Sequence, residues 1–238
     1  GGGRIRAIYL PTENLKLDLN VNYEYSDQGG YPYFYTGKVD EKEKGNDLRK
    51  DKIGLISYND ESSYYRSLLN ASANIEYQAQ YFTLSAVTGY QHLKDRMLLD
   101  QDFTEKNIFT LNQRLNTISE EIVMKSKAGQ NWQWTNGIFG FYQWLNTDGP
   151  VEFKEEGVKE VIEDNANNNF PSSPGAPTMR LTVNNPTLNV SGNFDTPTFS
   201  AAIYHQSTYN NFLIKGLSIT AGLRLDYEKM SMNYTSAS

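Results

Sequence analysis

Leu15-Lys16-Leu17-Asp18-Leu19-Asn20-Val21-Asn22-Tyr23-Glu24-Tyr25-Ser26 decides the fold of this chain. Apolar or aromatic residues fall at every odd position of this stretch, and polar or charged ones at every even position. A period of two puts successive side chains on opposite faces of a β-strand, whereas a helix would scatter the same residues around its circumference. The stretch therefore predicts a strand with one apolar and one polar face.

The same alternation returns along the chain. Leu69, Ala71, Ala73, Ile75 and Tyr77 alternate with Asn70, Ser72, Asn74 and Glu76. Leu217, Ile219, Ala221, Leu223, Leu225 and Tyr227 alternate with Ser218, Thr220, Gly222, Arg224, Asp226 and Glu228. Weaker versions cover residues 81–90, 117–127 and 134–145, and residues 4–10 and 198–209 complete a set of eight expected strands.

The connections add to this. Short links are expected at Pro11-Thr12-Glu13-Asn14, Gln78-Ala79-Gln80, Gly129-Gln130-Asn131 and residues 213–216. Long ones are expected over about 27–66, 100–116 and 146–197. Short and long links strictly alternate, which is the arrangement of an up-and-down membrane barrel with short periplasmic turns and long extracellular loops. A soluble meander has no reason to gather every long loop at one end. The expected fold class is all-β: an antiparallel up-and-down meander of about eight strands, part of a transmembrane β-barrel. The whole chain, 1–238, reads as one barrel segment.

Composition agrees. Apolar residues make up 38% of 238 and the mean hydropathy is −0.62, too polar for helical spans. A barrel escapes that limit because only alternate residues face lipid. Charges as dense as Lys16, Asp18 and Glu24 on the polar face suit a wet lumen, since burying them unpaired is costly. A tilted span needs roughly 9–11 residues, which residues 15–26 slightly exceed. There is no cysteine, so a disulfide framework, a zinc–thiolate site and a cysteine nucleophile are excluded. The net charge is −6 with no basic block, which argues against nucleic acid as a partner. The chain opens Gly1-Gly2-Gly3-Arg4 without an export signal. For an outer-membrane protein the signal is expected to have been removed or to lie outside this sequence.

Several stretches resemble the barrel region of TonB-dependent outer-membrane receptors. They are Phe82-Thr-Leu-Ser-Ala-Val-Thr-Gly-Tyr-Gln91 with Asp100-Gln-Asp-Phe-Thr104, and Ile118-Ser-Glu-Glu-Ile-Val-Met-Lys-Ser126 with Trp132-Gln-Trp-Thr-Asn-Gly-Ile-Phe-Gly-Phe-Tyr142. Leu217-Ser-Ile-Thr-Ala-Gly-Leu-Arg-Leu-Asp-Tyr227 and the hairpin within residues 4–33 are similar to other strands of such barrels. The resemblance implies a barrel of about 22 strands with a plugged lumen, in the outer membrane of a Gram-negative bacterium. It implies uptake of a scarce ligand: an iron-siderophore complex, haem, cobalamin, a metal or an oligosaccharide. The implied partners are outer-membrane lipid, the small-molecule ligand and an inner-membrane TonB complex that pulls on the plug. No plug, coupling box or terminal aromatic strand is seen in these residues, so the chain is expected to be a portion of the barrel. Two alternatives stay open. One is a self-contained eight-stranded outer-membrane barrel with an adhesin or structural role; the other is a soluble β-sheet domain that binds a ligand.

Candidate site residues are few. Tyr31, Tyr33, Phe34 and Tyr35 follow Gly29-Gly30 in a long loop, where rings can stack on a sugar or catecholate ligand. Trp132, Trp134 and Trp144 bracket one strand at a spacing that fits aromatic belts at both membrane interfaces. His92 and His205 lie on separate strands without a metal-binding companion, so no metal site and no cofactor are expected. Glu120 and Glu121 point to opposite faces of a strand and cannot act as a catalytic pair. No catalytic residue is expected, and the chain reads as not an enzyme. Val158, Val161 and Ile162 have helical spacing within the acidic run 152–164, and the Asn-rich stretch 165–177 reads as a flexible loop.

Overall fold

The computed structural model describes residues 1–30, 36, 53–54, 61–100, 106–170 and 179–237. The strands are β1 (Gly2–Thr12), β2 (Leu15–Gly29), β3 (Ser63–Gln78), β4 (Phe82–Leu99), β5 (Asn107–Ser126) and β6 (Trp132–Asp148). They continue with β7 (Val151–Phe153), β8 (Leu188–Asn210), β9 (Ser218–Met230) and β10 (Asn233–Ala237). All join one antiparallel sheet, in which β1 to β6 neighbour one another in chain order and β8 follows β6. Between β7 and β8 lie α1 (Glu155–Gly157), a π-helical segment Val158–Asp164 and α2 (Asn165–Asn169).

Two of the ten strands are continuations. β7 pairs with β5 and β8, the same two neighbours as β6, and so prolongs β6 beyond Gly149-Pro150. β10 pairs with β8 and prolongs β9 beyond Ser231-Met232. The break lies opposite Pro197, which has no N–H to give the ladder, and Ser231 N–H bonds to the Pro197 carbonyl at 3.2 Å. The sheet therefore follows the eight strand paths that the alternation predicts.

The strands outrun their expected ends on the long-loop side. β4 has 18 residues, β5 has 20 and β8 has 23. The connections narrow accordingly to 30–62, 100–106 and 154–187, against 13–14, 79–81, 127–131 and 211–217 at the other end. All three long ones sit at one end of the sheet. β1 runs through Pro11, with a register shift between Tyr9 and Thr12.

The sheet is inside-out by the standard of a water-soluble domain. Cross-strand pairing aligns Leu17, Ile75, Ala86, Ile122, Ile138, Ile203 and Leu225 in one row on one face. Ile203, Leu225 and Leu223 on that face are 58%, 63% and 68% exposed. The buried side chains of the opposite face include Ser200 and Thr198, each at 8%. No second sheet covers the apolar face among the described residues. Water would penalise such exposure at about 25 cal/mol per Å2, whereas lipid does not. The architecture is an antiparallel up-and-down meander that forms part of a transmembrane β-barrel.

Candidate functional site: the polar wall and its rim

The polar face is the one turned away from the lipid-type face. Even-numbered residues of β2 and β3 and odd-numbered residues of β4 line it by register. Several of its charges are paired across strands. Arg6 holds Asp18 with two hydrogen bonds, Nε to Oδ1 at 2.8 Å and Nη2 to Oδ2 at 2.6 Å. Arg4 Nε donates to Asn20 Oδ1 at 2.7 Å, and Arg66 pairs with Glu24. Lys127 Nζ donates to Gln78 Oε1 at 2.5 Å near the short-turn end, where Thr83 Oγ1 also donates to Gln78 at 2.8 Å.

A second linked part of the wall centres on Tyr204. Its hydroxyl donates to Glu121 Oε1 at 2.8 Å. The ring crosses Gly137: a Cβ built there would lie 2.0 Å from Tyr204 Cζ. Arg224 stands 5.5 Å from the ring centroid and pairs with Asp226 at 2.8 Å. Glu121, Tyr204, Arg224 and Asp226 thus form a chain across β5, β8 and β9. Such a wall is polar without a free strong charge along this chain.

The long-connection end carries a clasp. Lys106 pairs with Glu160 of the π-helical segment, and Lys154 N–H bonds to the Lys106 carbonyl at 2.8 Å. Gly157 packs so close that a Cβ would meet the Lys106 oxygen at 2.1 Å. Lys106 holds the Glu160 carboxyl below the usual glutamate range, by hydrogen bonding first and charge second. Val158 is 4% exposed, in keeping with the helical spacing of Val158, Val161 and Ile162. Residues 165–169 are helical rather than loop. Asn169 Nδ2 bonds back to the Asn165 carbonyl at 2.8 Å, and Asn167 exchanges two hydrogen bonds with the Leu181 backbone.

The sequence-predicted residues separate. Tyr31, Tyr33, Phe34 and Tyr35 lie outside the described residues. Trp132 and Trp144 lie on the apolar face of β6, 54% and 50% exposed, and Trp134 shares that face by register. Trp132 Nε1 donates to Ser207 Oγ at 3.1 Å, and the Trp144 ring lies 4.3 Å from that of Tyr142. Twelve residues of tilted strand span a height of about 28 Å, near the ~25 Å apolar band of membrane barrels. Exposed Tyr209 is directly opposite Trp132, and exposed Phe199 is opposite Tyr142, two residues from Trp144. His92 Nδ1 meets Asn116 Oδ1 at 2.8 Å, and His205 meets Asn136 and Ser207, so the two rings sit in separate small networks. Glu120 and Glu121 do face opposite ways: Thr88 Oγ1 donates to Glu120 on the apolar face, and Tyr204 to Glu121 on the polar one. The Tyr204–Gly137 contact was not legible, because only the register shows which strands a tyrosine crosses.

A sheet with a lipid-type face, a paired polar wall and all long loops at one end defines the class: a wall segment of a transmembrane β-barrel. Among solved structures, this chain is similar to the ferric yersiniabactin uptake receptor FyuA from Yersinia pestis, at 12% identity and a TM-score of 0.67. That match covers 99% of this chain and 30% of the receptor, so the likeness is one of fold. The RagAB peptide transporter also matches, at 10% identity and a TM-score of 0.40, over 99% of this chain and 29% of that one. No protein-family profile matches the sequence. No curated protein matches it either.

Proposed function

We propose that this chain is part of the barrel wall of an outer-membrane uptake receptor of the TonB-dependent type, and that it serves transport and not catalysis. The observation that carries the reading is the inverted sheet: exposed aliphatic rows outside and paired polar groups inside. The fold likeness to a siderophore receptor supports it. Its ligand belongs to the scarce, bulky solutes that a wide plugged barrel admits, such as an iron-siderophore complex, haem, cobalamin or an oligosaccharide. Aromatic residues Tyr31, Tyr33, Phe34 and Tyr35 at the loop end are the proposed ligand contacts, and the inner-membrane TonB complex is the proposed energy source.

A closed eight-stranded barrel would pair β1 with β9, but β1 pairs only β2 and β9 pairs only β8 among the described residues. Two unpaired edges suit a wall that meets further strands, since open edges invite non-specific association. The test is uptake by cells that lack the gene. The expected result is loss of accumulation of one of these ligand classes, restored by the intact gene and abolished by a protonophore. Unchanged accumulation of every class, or uptake indifferent to the protonophore, would remove the receptor reading.

A further inference from the structure

We infer that the lipid-type face of β5, β6 and β8 docks a second copy of this barrel, so that Glu120 of each wall meets the partner's His205. Ile122, Ile138 and Ile203 form one row of that face. Glu120 stands two residues from Ile122 along β5, and His205 stands two residues from Ile203 along β8, on the other side of the row. An ionisable group is costly on a lipid-facing surface, and within membranes such groups turn to a partner or to a wet cavity. These two lie well inside the aromatic belt. Glu120 is nine residues along its strand from Gly129 of the adjoining short turn, and His205 is eight from Leu213 of its own, whereas Trp132 is three from Gly129. Glu120 is therefore six residues of tilted strand inward of Trp132, about 14 Å, or half the height of the apolar band. The two groups share nearly one depth and stand two strands apart.

Neither group meets an opposite charge within its own wall. Among the described residues Glu120 accepts from the Thr88 hydroxyl and pairs with no cation. His205 shares hydrogen bonds with Asn136 Oδ1 at 2.7 Å and Ser207 Oγ at 2.9 Å. Equal depth and sideways separation make the pair self-complementary. A twofold axis along the membrane normal, passing over Ile138, sets each Glu120 opposite the partner's His205 and packs Ile138 on its own copy, the pattern of an isologous contact. Lipid chains would leave the carboxylate and the imidazole facing hydrocarbon, whereas a second copy satisfies both groups on both walls at once. Gly140 and Ala201, next to Glu120 in its row, let the second wall approach closely. A hollow of about 500 Å3, lined by Ile122, Ile138, Ile203 and His205 among others, gives the facing isoleucines room to interlock. Trp132 Nε1 still holds Ser207 when the imidazole turns to the carboxylate. The pairing rests on the lipid-type face alone and is independent of what the barrel carries.

The test is oxidative crosslinking in outer membranes of cells that make the full-length protein carrying this chain, with Ile138→Cys. This chain has no cysteine, and any elsewhere in the protein is changed to serine. A crosslinked species of twice the protein's mass is expected from I138C and not from V21C, which lies on the same face but on β2. In the I138C background E120H and H205E should each slow crosslinking about tenfold, and E120H/H205E should restore it. Folding of every variant is checked by heat-dependent mobility. Where a swapped variant fails that check, E120Q and H205Q take its place: each should slow crosslinking, and E120Q/H205Q should slow it no further than either alone. Equal crosslinking from positions 138 and 21, a product with a different protein, no product from I138C, or folded double swaps that stay slow would each overturn the proposal.

Discussion

The Tyr204 hydroxyl donates to Glu121 at 2.8 Å by laying its ring across Gly137, a residue of the strand that separates them. This one contact ties β8 to β5 over the surface of β6. It requires the intervening position to have no side chain. An alanine Cβ at 137 would lie 2.0 Å from the tyrosine ring, so the ring would have to leave its place. Replacing Gly137 with Ala is expected to cost about 1–3 kcal/mol, as overpacking does. Tyr204→Phe keeps the ring and loses only the hydrogen bond, at about 1–2 kcal/mol. Urea titration of the protein folded in lipid vesicles separates the two, and G137A/Y204F should be no worse than G137A alone.

The aliphatic row predicts an asymmetry between neighbours in sequence. Ile203 faces the lipid side and Gln206 the polar wall. Ile203→Arg is expected to destabilise the membrane-embedded barrel by about 2–4 kcal/mol, the penalty of a cation near the bilayer midplane. Gln206→Arg should stay within about 0.5 kcal/mol, as for substitutions away from packed features. The same vesicle titration measures both. A soluble sheet with both faces in water would tolerate the two changes equally.

The clasp at the long-connection end should open in acid. Glu160 is held below its usual range by Lys106, so its folded value lies below its unfolded one. Such a group contributes stability above the unfolded value, about pH 4.3, and that contribution is lost as pH falls through the folded value. Hydrogen exchange of residues 155–169, corrected for intrinsic rates, is expected to rise below that range. Glu160→Gln should show the raised exchange at neutral pH already and no further acid step.

Residues 15–26 made the strand legible because one face meets lipid and the other water, which forces a strict period of two. Towards the long connections polar residues take both faces, and the pattern fades. This is why the alternation marks β4 only to Tyr90 while the ladder continues through His92, Lys94 and Arg96. Pro197 reads as a strand breaker, yet β8 passes through it, because the missing N–H falls where β9 gives way to β10. The wall network is legible only in its parts. Glu121, Gly137, Tyr204 and Arg224 lie far apart in sequence and become neighbours only through register. That Trp132, Trp134 and Trp144 share one face is legible because their even spacing is written within a single strand.

The most direct test of the membrane reading is a cysteine and spin-label scan of residues 15–26 in lipid bilayers. The chain has no cysteine of its own to interfere. Accessibility to oxygen, which concentrates in lipid, is compared with accessibility to a water-soluble nickel chelate. Labels at Leu17, Leu19, Val21 and Tyr23 are expected to favour oxygen, and labels at Asp18, Asn20, Asn22 and Glu24 the chelate, with a period of two. Loss of that period, or odd positions shielded from both reagents, would contradict a transmembrane wall.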